Sequence, residues 1–279
     1  ISLLGFICLS LASLTSIRNF PTMALNQWKL VTFTIFAIVL FLIPISLTSA
    51  ELATGWSEGG GVYKWVKEAF GQKWGFTAVW LQWFMMTIGF IGVLTFVAAT
   101  FSYIFNPALQ DNKLYQLIVI LIVWWVFTYI DAKGIKFYTK LNSLFVVIGV
   151  FIPCILLIGG GLWLIGSGYP VLFTLHPTVG DFIPAFSNID NLVLLVTFVF
   201  LFTGIEMIAV HSEYIKNVKR NYPIAILIVS VVLITLSVLG SLLIGLFVHA
   251  SSLNLAGGVM QCFEAIFGVG ILTSFIALL

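Results

Sequence analysis

The chain has 279 residues, 61% hydrophobic and 8% charged, with a formal net charge of +2 and a mean hydropathy of +1.16. A water-soluble domain needs far more charge on its surface, so this composition indicates an all-α polytopic membrane protein. The near-neutral balance gives no basis for nucleic acid as a partner, and Cys8, Cys154 and Cys262 lie in apolar surroundings without disulfide or metal-ligand spacing.

In chain order, the apolar runs predict spans at about 2–26, 30–54, 75–105, 115–131, 137–165, 187–213 and 222–249, with an eighth starting near 269. That last run is cut at Leu279 and the chain opens on Ile1, the pattern expected of a fragment. The first and sixth runs are interrupted by polar groups, at Arg18-Asn19-Phe20-Pro21 and at Thr203-Gly204-Ile205-Glu206. Lipid cannot satisfy the backbone N–H and C=O groups that a broken helix frees, so such breaks persist inside protein or beside a polar cavity. Discontinuous first and sixth helices are what an inverted-repeat transporter with a mid-membrane substrate site would carry. The expected organisation is a first five-helix repeat over 1–165, with an interfacial segment at 55–72. A partial second repeat over 166–279 would hold spans six, seven and the start of eight.

The basic residues set an expected orientation. With the N-terminus in the cytoplasm, Lys64, Lys67, Lys73, Lys133, Lys136, Lys140, Lys216, Lys219 and Arg220 fall in cytoplasmic loops. Only Lys29 and Lys113 fall opposite, and Arg18 falls within the membrane. A signal-peptide core over Leu3–Thr15 is the competing reading. It lacks a basic flank, and its removal would invert the alternation.

After span two come Glu58-Gly59-Gly60-Gly61-Val62-Tyr63-Lys64-Trp65-Val66, then Phe70-Gly71 and Trp74-Gly75-Phe76. The glycines permit a tight re-entry, and the aromatics and lysines suit a headgroup boundary. An interfacial helix that only anchors accounts for them equally well. This stretch resembles the Gly-Gly-x-Tyr-x-Trp loop of the amino acid–polyamine–organocation superfamily, and more closely the bacterial glutamate/GABA antiporters. The likeness includes Leu4-Gly5-Phe6, Ile43-Pro44, Ala50-Glu51-Leu52-Ala53-Thr54 and Gly204-Ile205-Glu206. It continues through His211, Glu213, Arg220-Asn221-Tyr222-Pro223, Asn254-Leu255 and Gly258-Val259-Met260-Gln261. The resemblance implies a leucine-transporter-type fold, truncated in helix 8, that exchanges amino acids or related amines across a bacterial inner membrane. The antiporters' first break resembles Tyr-Glu-Tyr-Pro. Here only the proline and the aromatic third position are shared.

Glu206 is the first candidate site residue, because a charge at mid-membrane is costly and calls for an interior partner. Its expected role is proton coupling or gating; the alternative is a protonated carboxyl hydrogen-bonded to the unwound backbone, holding the break open. Arg18 either receives a substrate carboxylate or pairs with Glu206. Asn19 and Phe20 are expected to cap a half-helix from Pro21, whose N-terminus favours a carboxylate. Carbonyls near Ser16 and Ile17 could receive an amine, while Phe202, Thr203, Gly204 and Ile205 line the sixth-span side. Phe20 and Phe202 either cover substrate or pack. His211 is a second gating candidate against a plain interfacial histidine, and Pro44 and Pro153 are expected to kink spans two and five.

No clustered catalytic set appears, so an enzyme is not expected, and neither a metal nor another cofactor is implied. The expected partners are an amino acid or amine substrate, the lipid bilayer and, for a coupled carrier, protons. The competing readings are a proton-coupled amine, polyamine or neutral amino acid permease, and a non-transporting amino acid sensor on the same fold.

Overall fold

The computed structural model describes residues 2–56, 60–132, 144–184 and 189–278. Among them every regular element is helical. In order they are α1 (Leu3–Leu14), α2 (Phe20–Ala24), α3 (Lys29–Gly55), α4 (Gly61–Phe70), α5 (Gln72–Phe105) and α6 (Lys113–Asp131), then α7 (Leu144–Gly166), α8 (Ile189–Phe200), α9 (Val218–Phe247), α10 (Gly258–Phe267) and α11 (Ile271–Leu278). Among the described residues, six stretches are long and apolar enough to cross a membrane: Leu3–Ala24, α3, α5, Lys113–Ile130, α7 and α9. The protein is therefore a multi-pass membrane protein of the expected all-α class. Glu58, Gly59, Lys133, Lys136 and Lys140, used above for the loop motif and the orientation, lie outside the described residues.

One detail differs from the expected spans, and each of the two prolines expected to kink a span follows a π turn. The eighth run begins its helix at Ile271 and is preceded by α10, a ten-residue helix too short to register as a span. At Pro44 and Pro153 the chain stays helical through a π turn placed just before each proline, at Ile38–Leu42 and Val147–Phe151. There the Ile43 N–H bonds Ile38 O and the Ile152 N–H bonds Val147 O. The wider turn makes room for a ring that would otherwise crowd the carbonyl four residues back.

Contacts divide the chain into two units, one of residues 1–15, 33–89 and 186–235, the other of residues 16–32, 90–185 and 236–279. The first is held by aromatic pairs between distant helices: Phe33 stacks on Phe198 at 5.3 Å, and Phe6 lies 5.6 Å from Tyr222. Helix α4 docks where Gly61 (φ +47) meets Val210. A Cβ on Gly61 would stand 3.0 Å from Val210 Cγ2 and 3.2 Å from its backbone nitrogen. Only glycine allows that approach at that angle.

In the second unit the core gathers Phe20, Leu157, Ile244, Cys262 and Phe263, all essentially sealed from solvent. Cys154 and Cys262 are buried free thiols and Cys8 is half-buried, which fits packing roles. The stretch after α7 is tied down from a distance: Trp28 Nε1 donates to Thr174 O at 2.9 Å and Thr32 Oγ1 to Phe182 O at 2.6 Å. By contrast α6 exposes Leu117, Ile118, Leu121, Ile122 and Trp125, as a lipid-facing helix does.

Candidate functional site

The first break lies earlier than the proline suggests. Helix α1 stops at Leu14, Thr15 and Ser16 are extended (φ −78, ψ 115 and φ −130, ψ 111), and Ile17–Asn19 make one 3₁₀ turn before α2. Pro21 sits inside the first turn of α2, where its missing N–H needs no partner. Two expectations change with this. Helix α2 has only five residues, too few for the dipole expected to attract a carboxylate, and Asn19 at its N-cap makes no side-chain capping bond. The Ile17 carbonyl is already engaged by the Phe20 N–H.

The second break is complete. The chain leaves α8 after Phe200, turns irregularly through Leu201–Glu206, and resumes as a 3₁₀ segment over Met207–Tyr214. Gly204 takes φ +98, which side-chain-bearing residues rarely adopt. Its N–H donates to Glu206 Oε2 at 3.2 Å, and its carbonyl accepts from the Met207 N–H at 2.9 Å. Glu206 thus ties down the unwound backbone with its own carboxyl.

Within the first unit the ends of both broken spans meet. Leu14 packs on Gly204, its Cδ2 3.4 Å from where a Cβ would stand. Beside them the Thr15 and Tyr222 hydroxyls are buried without a hydrogen-bond partner, and Tyr222 lies within electrostatic reach of Glu206. Groups like these call for a ligand or water. Phe202 and Ile205 are fully buried and pack, while Thr203 Oγ1 donates to Phe200 O at 2.8 Å and finishes α8. His211 is half-buried in the 3₁₀ segment.

In the second unit Arg18, Asn19 and Thr22 line a pocket of about 300 Å³ with Gly92 and Thr95 of α5 and Ala256. The guanidinium lies against Gly92, where a side chain of any size would displace it, and its Nε is buried without a partner. Asn254 Oδ1 accepts from the Ala256 and Gly257 N–H groups at 2.9 Å, and Gln261 Oε1 from the Asn254 N–H at 2.9 Å. The Asn254 and Gly258–Gln261 motifs therefore fold the turn that brings Ala256 to the pocket. Ile17 faces a separate, largely apolar cavity of about 220 Å³ with Phe96, Pro153 and Met260. Phe20 packs: a Cβ on Gly240 would lie 2.5 Å from its ring.

The residues missed from sequence are Thr15, Thr22, Gly92, Thr95, Tyr222 and Ala256. Of these only Tyr222 carried any signal, as part of the Arg220–Pro223 motif. Among the described residues no three His, Cys, Asp or Glu side chains converge on a metal-sized site.

The chain matches the family described as amino acid permease over residues 1–279. It is 36% identical over 267 residues to an uncharacterized transporter of Legionella pneumophila, covering 96% of this chain and 57% of the relative. It is 33% identical over 269 residues to a glutamate/gamma-aminobutyrate antiporter of Lactococcus lactis, covering 95% and 53%. A probable agmatine/putrescine antiporter of the same species is 26% identical over 231 residues, covering 83% and 48%. The chain spans about half the length of the curated relatives it matches.

Proposed function

Since the chain belongs to the amino acid permease family, we propose that it is the part of a secondary active amino acid antiporter that carries the two broken helices. The observation that carries this reading is the approach of Leu14, at the end of the first half of span one, to the left-handed Gly204 of span six, with Glu206 holding the break. A break of this kind in each of two spans is costly unless it serves a polar ligand. In this reading residues 1–165 form a first repeat and 166–279 begin a second. The bundle holding spans one and six rocks against the scaffold of spans three and four.

Arg18 favours a substrate with a carboxylate. Its charge is permanent, its Nε lacks a partner, and a guanidinium receives a carboxylate bidentately. A carboxylate-free diamine would meet like charge there, so glutamate and GABA are the proposed substrates ahead of putrescine or agmatine, in keeping with the name of the glutamate/gamma-aminobutyrate antiporter of Lactococcus lactis. The proposed setting is the plasma membrane of a bacterium, with the N-terminus on the side rich in lysine and arginine.

The test is competition for radiolabelled glutamate exchange in proteoliposomes holding the full-length protein. Unlabelled glutamate and GABA are expected to inhibit, and putrescine is not. Exchange of radiolabelled putrescine, with none of radiolabelled glutamate, would reverse the assignment.

A further inference from the structure

We propose that the groove between the end of α3 and helix α4 binds one anionic phospholipid, and that its occupancy governs the break in span six. The first half stands on the membrane setting alone; the second rests on the transport reading above. The groove measures about 360 Å³ and is walled by Leu52 of α3, by Trp56 just past its end, and by Trp65, Val66, Ala69 and Phe70 of α4. Its lining is almost wholly apolar, yet Phe70 is 72% and Trp56 41% exposed. Helix α4 is amphipathic by position: Val62, Trp65, Val66, Ala69 and Phe70 share one side, Lys64 and Lys67 the other, and Glu68 lies where the two meet. A helix of this pattern joined to the end of a membrane span lies in the interface plane, where acyl chains reach its apolar side.

Charge selects the headgroup. Lys67, its ammonium 5.9 Å from the Tyr63 ring, and Lys73 are exposed on this segment. A lysine near an anionic leaflet contributes roughly 1 kcal/mol of attraction, about fivefold in affinity. Glu68 also borders the groove, so a headgroup bearing hydroxyl donors, such as phosphatidylglycerol, suits it better than a bare phosphate.

The coupling runs through Gly61. It opens α4 and rests on Val210, four residues beyond Glu206 in the 3₁₀ segment, and the stretch Ile43–Gly55 of α3 contacts that same segment. Both groove walls therefore bear on the polypeptide just past the break, and a lipid that fixes α4 fixes that segment.

The experiment uses the full-length protein in phosphatidylcholine bilayers with rising fractions of phosphatidylglycerol. Native mass spectrometry counts retained phosphatidylglycerol, and glutamate exchange is measured in parallel. Wild type is expected to retain the lipid and to exchange faster as its fraction rises. Lys67→Gln and Lys73→Gln should each raise the half-maximal fraction about fivefold, and Lys113→Gln, outside this segment, should not. Gly61→Ala should retain phosphatidylglycerol yet lose its effect on exchange. Should that variant fail to fold, Val210→Ala, which loosens the same contact, is expected to weaken the effect. Equal retention by wild type and both lysine variants would overturn the lipid site. Retention without any effect on wild-type exchange would overturn the coupling. A wild type that exchanges in no mixture would refute the transport reading and the coupling with it, while the retention counts still decide the lipid site.

Discussion

Gly204→Ala probes the broken sixth span at its sharpest point. At φ +98 an alanine loses roughly 1–2 kcal/mol to the clash of Cβ with the backbone. Alanine also favours a continuous helix over glycine by about 1 kcal/mol. Both effects push from broken towards straight, together by about 2–3 kcal/mol, or roughly 30- to 150-fold in the balance of the two forms. Overpacking does not compete, because the new Cβ would lie 3.4 Å from Leu14 Cδ2 and 3.8 Å from Met207 Sδ, ordinary contact distances. The assay is hydrogen exchange at the amides of 203–207, with transport measured on the same preparation. Protection there should rise and transport fall by a factor within that range. Gly89→Ala in α5, where a Cβ meets nothing within 4 Å, should change neither. Wild-type transport and unaltered amide exchange in Gly204→Ala would refute the claim that the break needs a left-handed residue.

Gly92→Ala should fold normally but push the Arg18 guanidinium aside. Losing a charge-assisted hydrogen bond of about 1.5–3 kcal/mol should weaken substrate binding roughly 10- to 150-fold, and Arg18→Lys should weaken it in the same direction. Unchanged affinity in both would remove Arg18 from the site. Glu206→Gln keeps an oxygen to accept from the Gly204 N–H, so the break should persist while the pH dependence of exchange flattens. A wild-type pH profile would assign Glu206 a purely structural part. Asp181 Oδ2 accepts from the Thr178 N–H at 2.7 Å and hydroxyl at 2.9 Å, which holds its carboxyl below the ordinary carboxylate range. A depressed pKa means the contribution is full above about pH 3.9 and fades as pH falls through the folded value. Limited proteolysis between Ser167 and Pro184 should therefore be independent of pH from neutrality to about pH 4 and increase only below it. Asp181→Asn should be cut faster at neutral pH, and equal rates would show that the turn does not depend on the carboxylate.

What could be foreseen followed from chemistry confined to neighbouring residues. Glu206 next to Gly204 in an apolar run announced a break because a buried carboxyl and a helix-breaking residue rarely coincide by chance. The first break was foreseen three residues late, since proline is the visible disruptor whereas Thr15 and Ser16 have no strong preference for extended backbone. Their conformation is set by packing, and Pro21 is only the compatible start of α2. Phe20 illustrates the same limit: whether an aromatic covers a ligand or fills a core depends on Gly240, more than 200 residues away. The contacts of Arg18 with Gly92 and of Gly61 with Val210 join distant segments, and no periodicity encodes them. Helix α10 escaped notice because ten residues cannot span a bilayer, although the Asn254 turn that leads into it was visible as a motif.

Counterflow of radiolabelled glutamate into proteoliposomes holding the full-length protein and preloaded with unlabelled glutamate is the most direct test of whether these breaks carry a transported substrate. Transient accumulation above the external concentration is predicted, lost when Gly204 is replaced by alanine. Saturable binding with no accumulation would contradict transport and assign the same breaks to ligand sensing.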